Sequence, residues 1–213
     1  MPRTVVFDHV GTQLDPGALG EPFGAGRELG LAALDDAVAM AMVDTLTGEH
    51  RPFPELVRGG LERHVALRNL PREPIDAALD LLRRLPPYPE AGQALGRLRD
   101  AGCQLTVLTN SAAGSAEAML EAAGLRDLVG RVDGADAVGA YKPDPRVYAA
   151  GPAPSAGTWF VAGHWWDVTG AARAGFRTAW ISRDDRVLPA TAPVPDVRAA
   201  GLQEAAEALL AAG

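Results

Sequence analysis

Four short segments carry side chains whose types could do chemistry if the fold brings them together. Phe7-Asp8-His9-Val10-Gly11-Thr12 sets a carboxylate at the end of an apolar run, just ahead of a glycine turn. Leu108-Thr109-Asn110-Ser111 sets a hydroxyl and a carboxamide at the end of another run. Tyr141-Lys142-Pro143-Asp144-Pro145-Arg146-Val147-Tyr148 places an ammonium in a proline-stiffened loop before a short helix. Phe160-Val161-Ala162-Gly163-His164-Trp165-Trp166-Asp167 ends a third run with a histidine and then a carboxylate at a helix start. Taken singly, each has an ordinary explanation. Asp8 can be a turn former, Thr109-Asn110 a helix cap, Lys142 a solvated cation, Asp167 another cap and His164 a packed or surface imidazole. The order of the four along the chain is far more specific than any member.

The elements that must position these groups are legible as short apolar runs alternating with helical patterns. Thr4 to Phe7, Gln104 to Leu108, Thr158 to Ala162 and Thr178 to Ile181 read as buried parallel strands. Glu90 to Ala101, Gly114 to Ala123, Asp167 to Ala174 and Gln203 to Ala212 read as helices, expected to stop at Gly102, Gly124 and Gly175. Such alternation predicts an α/β fold, a doubly wound parallel sheet of Rossmann-like type. Ligands of open parallel sheets bind beyond the carboxyl ends of the strands, where Asp8, Thr109, Asn110 and His164 all fall.

Residues 13–86 break the alternation. They hold no convincing strand but carry apolar helical stretches at Glu28 to Leu46, Phe53 to Leu70 and Ile75 to Leu85. The expectation is a core domain of residues 1–12 and 87–213 with a helical cap, residues 13–86, inserted after the first strand. Leu85-Pro86-Pro87-Tyr88-Pro89 cannot continue a helix and returns the chain stiffly to the core as a hinge. Ala33 to Val43 is apolar on nearly every face, which places it either deep in the cap or against a second copy in a homodimer.

Bulk properties narrow the function. Of 213 residues, 47% are hydrophobic and 22% charged, as in an ordinary globular protein. A formal net charge of −7 with no cationic run argues against nucleic acid or an anionic membrane as partner. A single cysteine, Cys103, excludes an intrachain disulfide framework and fits a reducing, cytoplasmic compartment. The opening residues do not read as a signal peptide, since Val5 and Val6 run directly into Asp8, and no apolar stretch is long enough for a membrane span. A small-molecule substrate is the expected partner.

The sequence of Asp8, Thr109-Asn110, Lys142-Pro143-Asp144-Pro145 and Asp167 resembles the four motifs of the haloacid dehalogenase superfamily, with residues 13–86 in the position of its helical cap. Gly139 to Tyr148 and Trp166 to Ala171 resemble most closely the type II two-haloacid dehalogenases, which hydrolyse a carbon–halogen bond without a metal. Phosphatases of that superfamily place an acid two residues after the nucleophile, to protonate an alkoxide leaving group, and another before the last motif to hold magnesium. Here those positions are Val10 and Ala162. The resemblance therefore implies carbon chemistry, no cofactor and no metal; magnesium, held by Asp8 and Asp167, is expected only for a phosphatase.

By the same resemblance Asp8 attacks the substrate, Lys142 keeps Asp8 ionised, and Asp167 binds Lys142 and helps place the water. His164 is either a water-activating base or a positioning group, since the best-known dehalogenases carry asparagine there. Thr12 and Asn110 orient carboxylates, Thr109 helps hold the substrate's own carboxylate, and Val10, Tyr148 and Trp166 shape the substrate pocket. One departure stands out: the cap segment matched to the family's halide-binding arginine reads Ala33-Leu34-Asp35-Asp36. Three readings stay open on the residues alone: a metal-independent dehalogenase of small 2-haloacids, a hydrolase of the same fold acting on a phosphate or other ester, and a noncatalytic ligand- or partner-binding relative.

Overall fold

In a computed structural model, which describes residues 3–212, six strands form one all-parallel sheet. They are β1 (Thr4–Phe7), β2 (Gln104–Thr109), β3 (Arg131–Gly134), β4 (Thr158–Ala162), β5 (Arg177–Ile181) and β6 (Val197–Ala199), in the order β3-β2-β1-β4-β5-β6. Val5 of β1 pairs Leu105 on one side and Trp159 on the other. Strands covered on both faces need no polar alternation. Every residue of β4 is buried, as are Val5, Val6 and Phe7 of β1. The chain winds from β1 outward to β2 and β3, then crosses back to β4 on the other flank of β1. That reversal opens a crevice at the carboxyl ends of the central strands.

Helices α1 (Arg27–Thr47), α2 (Phe53–Leu67) and α3 (Ile75–Leu82) lie between β1 and β2 in the chain, preceded by a 3-10 turn over Pro16–Phe23. The rest are α4 (Ala91–Asp100), α5 (Ala113–Ala122), α6 (Pro145–Ala150), α7 (Trp165–Arg173) and α8 (Leu202–Ala211). In α4, Ala91, Ala94, Leu95 and Leu98 are buried, the spacing of one helical face. The expected helix ends at Gly102, Gly124 and Gly175 are where the backbone turns through φ of 85°, 69° and 96°. Helix α6 opens after Asp144, whose carboxylate accepts from the Arg146 N–H, and closes within six residues.

Two strands escaped the sequence reading. β3 carries Arg131 and Asp133, and β6 has only three residues, so neither shows an uninterrupted apolar run. Both are edge strands, which need only one well-buried flank. The stretch from Ala33 to Val43 is two-sided: Ala33, Leu34, Ala37, Val38 and Ala41 are buried, whereas Val43 and, beyond it, Leu46 are exposed.

The chain leaves and re-enters the sheet through two adjacent connectors. Asp15 N–H donates to Pro86 O and Tyr88 N–H to Gln13 O, each at 2.9 Å. The proline segment expected as a hinge is thus paired alongside the outgoing chain.

Candidate active site

Asp8 follows β1, and its backbone N–H still pairs with Val161 O at 2.9 Å. Its carboxylate therefore leaves the sheet at the crevice between β1 and β4. The turn that follows is set by Gly11, whose φ of 87° suits a residue without a side chain. A Cβ at Gly11 would also collide with Cε1 of the His164 ring. Thr12, fully buried, donates its hydroxyl to Asp8 Oδ2 at 2.9 Å and accepts from Gly163 N–H at 2.8 Å. That pair of bonds leaves the hydroxyl one proton to give, and fixes its direction.

Lys142, on the loop before α6, brings its ammonium to 3.0 Å from Asp8 Oδ1 and 2.9 Å from Asp167 Oδ2. Lys142 and Asp167 are fully buried and Asp8 nearly so. The Phe160 ring lies 5.0 Å from the ammonium nitrogen. One cation among two carboxylates is a partly compensated cluster that survives in a dry interior only with such close geometry. Asn110 fixes the lysine's backbone, its side-chain oxygen accepting from Lys142 N–H at 2.8 Å. This differs from the carboxylate-orienting place expected of Asn110: the carboxamide oxygen is an acceptor, and the peptide N–H is what meets it.

The charges follow from this packing. Burial alone would raise the Asp8 carboxyl, but Lys142 and His164 outweigh it and hold Asp8 below the ordinary carboxylate range. Burial works against the Lys142 ammonium, yet Asp167 and Asp8 together raise it above the usual lysine value. Asp167 is raised, by burial first and by the neighbouring Asp8 charge, against the pull of Lys142. Its position in the first turn of α7 adds the favourable end of the helix dipole.

Tyr148, expected at the substrate, stands instead behind Asp167. It is buried, and its hydroxyl donates to Asp167 Oδ1 at 2.6 Å. Gly170 of α7 makes the room for it there, since a Cβ at that position would collide with the Tyr148 ring and hydroxyl. Burial, then the Asp167 charge, push this phenol well above its ordinary value, so it stays a donor. Thr109 is buried at the end of β2 and accepts from Ser111 N–H at 3.2 Å.

His164 sits at the end of the β4 loop with its Nδ1 3.7 Å from Asp8 Oδ2, a charge pairing rather than a hydrogen bond. Burial disfavours its cation, but Asp8, Asp167 and Asp35 outweigh that and raise the ring above the ordinary imidazole value. Trp166 stacks on it, with ring centroids 5.3 Å apart.

A small, half-open cavity of about 20 Å³ lies at these groups, lined by Asp8, Val10, Thr109, Asn110, Ser111, His164 and Trp166, with Leu34, Val38 and Phe53 from the helices above. That is room for about one water. The structure thus converges Asp8, Lys142, Asp167, His164, Thr12, Val10, Thr109, Asn110 and Trp166, and sets Tyr148 behind them. Sequence reasoning missed the roof. Leu34, Val38 and Phe53 are ordinary apolar positions on helices, and nothing in their type marks them as cavity walls. No arginine reaches the cavity from α1; the roof is apolar.

Asp8 and Asp167 are the two residues a magnesium ion would need. Here one oxygen of each already holds Lys142 Nζ, and Val10 and Ala162 supply no further carboxylate. The donor set therefore does not fit a magnesium centre of several oxygen ligands.

A family model described as haloacid dehalogenase-like hydrolase matches residues 2–151. The (S)-2-haloacid dehalogenase of Pseudomonas sp. (strain YL) is 32% identical over 218 residues, covering 96% of this chain and 93% of that protein. The phosphoserine phosphatase of Thermus thermophilus is 36% identical over 166 residues, 74% of this chain and 66% of that one. Among solved structures, the L-2-haloacid dehalogenase RSc1362 superposes with a TM-score of 0.90 at 27% identity, covering 98% of this chain and 99% of its own.

Proposed function

The chain belongs to the haloacid dehalogenase-like hydrolases, and from that premise we propose that it hydrolyses the carbon–halogen bond of a small 2-haloacid through an aspartyl ester, without a metal. One observation carries the reading: Asp8, held by Lys142 under an apolar roof, has no acid two positions on, because that residue is Val10. A halide leaves without a proton, whereas an alkoxide needs one.

In the first step an Asp8 carboxylate oxygen attacks the halogen-bearing carbon. The new C–O bond forms as the C–halogen bond breaks, and the pair leaves with the halide. Lys142 keeps Asp8 ionised, Thr12 aims it, and Asp167 with Tyr148 behind it holds Lys142. Thr109, Asn110 and Ser111 face the substrate's carboxylate, while Leu34, Val38 and Phe53 exclude bulk water. In the second step water adds to the Asp8 carbonyl carbon and the ester C–O bond breaks; one water proton goes to the departing 2-oxygen, giving the 2-hydroxyacid, and the other is released as Asp8 returns to its carboxylate. Residues 13–86 act in this reading as the cap over a core of 1–12 and 87–213. A second copy of the chain packing on the exposed Val43 and Leu46 face of α1, and a cytoplasmic setting for the lone Cys103, belong to the same reading. Among the described residues, no helix is long and apolar enough to cross a membrane.

Halide release from a panel of brominated and chlorinated 2-haloacids tests the proposal. Release is expected to persist undiminished in chelator. Magnesium-dependent hydrolysis of an aryl phosphate with no halide release would replace it with phosphoryl transfer.

His164 supplies a pH signature. Its folded value is raised above the ordinary ~6.5, so its pairing with Asp8 stabilises the fold fully below that pH and is lost as pH rises through the folded value. A base must be neutral, so ester hydrolysis is expected to speed up across the same rise. In His164→Asn this limb disappears and kcat falls by about 10²-fold, the scale of a lost general base. A pH–rate profile unchanged in shape would make His164 a packing residue.

A further inference from the structure

The chain from Val138 to Asp144, which carries Lys142, belongs to no helix or strand, so its place is set by bonds from elsewhere. Two consecutive peptide N–H groups hold it. That of Lys142 donates to Asn110 Oδ1 on the sheet side, and that of Tyr141 donates to Thr45 Oγ1 at 2.9 Å. Thr45 lies near the end of α1, in the helical insertion, and gives its own hydroxyl proton back along the helix to Ala41 O at 3.0 Å. The stretch that follows closes around Tyr141. His50 stacks on its ring with centroids 4.5 Å apart, the Phe53 ring centroid lies at 5.9 Å, and the phenol donates to Arg51 O. That stretch is itself fixed, because the buried Asp44 carboxylate accepts from Arg51 Nε at 2.9 Å. No step of the chemistry proposed above uses any of these contacts.

We propose that Thr45 is a positioning residue: by holding the Tyr141 peptide it sets where Lys142 stands, and so brings the ammonium between Asp8 and Asp167. The lysine has little slack. Its side chain is fully buried and its nitrogen meets carboxylate oxygens at both 3.0 and 2.9 Å, so a shift of the peptide passes on to the ammonium. Thr47, two residues on, is the contrast. Its hydroxyl makes the same bond back along α1, to Val43 O at 2.9 Å, but it is exposed and, among the described residues, accepts from no N–H. Thr45→Val keeps the shape of the side chain and takes away the acceptor that the Tyr141 N–H needs. That the positioned lysine serves a nucleophile rests on the dehalogenase reading; that Thr45 sets its position does not.

Halide release from 2-bromopropionate is measured in the wild type, Thr45→Val, Thr45→Ser and Thr47→Val. A misplacement of ~1 Å at a reacting centre costs about 10²-fold in rate, so Thr45→Val is expected to lose roughly 10- to 100-fold in kcat. KM should stay within about twofold, because Lys142 acts on Asp8 rather than on the substrate. Thr45→Ser, which restores the hydroxyl, should recover most of the rate, and Thr47→Val should match the wild type. Denaturant midpoints of Thr45→Val, alone and combined with Lys142→Met, complete a double-mutant cycle. The midpoint shift caused by Thr45→Val should shrink by about half or more once no ammonium remains to be misplaced. Should Thr45→Val not fold, Tyr141→Phe takes its place in both measurements; it gives up only the bond to Arg51 O, and the same fall in kcat at constant KM is expected, of smaller size. A kcat at the Thr47→Val level, a loss carried in KM or not recovered by Thr45→Ser, or an equal midpoint shift with and without Lys142 overturns the proposal. If the wild type releases halide from no 2-haloacid, the dehalogenase reading fails, and the midpoint cycle alone decides whether Thr45 positions Lys142.

Discussion

Asp8→Asn is expected to abolish halide release, by ~10⁴-fold or more, the order of loss that follows removal of a nucleophile. The carboxamide is nearly isosteric with the carboxylate, and its oxygen can still accept from Thr12, which donates to Asp8 Oδ2 at 2.9 Å. What is lost is the negative charge that attacks carbon. A label experiment distinguishes this from a water attacking directly. With enzyme in excess and a single turnover in heavy-oxygen water, the label should appear in Asp8, and the released 2-hydroxyacid should carry the oxygen that Asp8 began with. Label in the product of the first turnover, with none in Asp8, would mean that Asp8 acts as a base and no ester forms.

Lys142→Met should damage both activity and stability. The ammonium is fully buried and holds Asp8 and Asp167 at 3.0 and 2.9 Å. Removing it leaves two carboxylates uncompensated in the interior, and breaking buried pairs of this kind costs roughly 3–5 kcal/mol. The cluster escapes part of that by taking up a proton, because burial and mutual repulsion then both raise the carboxyls. Asp8 thereby loses its ionised form near neutrality, and activity is expected to fall by about 10³-fold, the size of a few units of lost ionisation.

For Asp8 the sign of the pH dependence also changes. In the wild type the depressed Asp8 carboxyl contributes stability above its unfolded value of about 3.8, lost as pH falls through the lower folded value. In Lys142→Met the folded Asp8 carboxyl joins that of Asp167 above its ordinary value, so stability should improve as pH falls through both. Denaturant midpoints in mildly acidic and mildly alkaline buffer read this directly. A variant with the wild-type midpoint and the wild-type pH trend would show that Lys142 does not neutralise the pair.

Much of the architecture was legible because it is written in local patterns. A strand covered on both faces must be apolar throughout, and Val5, Val6 and Phe7, like Thr158 to Ala162, are buried as that rule requires. The edge strands were not legible. A strand such as Arg131–Gly134, half in solvent, obeys no such rule, and its charged residues read as loop. The helical insertion was legible from three apolar periodic stretches without a strand between them. Which of its residues would roof the site was not, since Leu34, Val38 and Phe53 differ in no local respect from the other apolar positions of α1 and α2.

The sequence by itself determined which groups lie at the carboxyl ends of strands, because strand boundaries and residue types are local properties. It therefore contained Asp8, Thr109, Asn110 and His164, together with the telling absence of acids at Val10 and Ala162. Only the tertiary structure decided the distances. Lys142 is remote from Asp8 in the chain, and the two meet because parallel strands β1, β2 and β4 lie side by side and the loop before α6 falls over their ends. The same packing turned Tyr148 away from the crevice to support Asp167, and set Phe53 among the walls of the cavity at Asp8. Direction and enclosure come from which elements pack together over long range, and no periodicity along the chain encodes them.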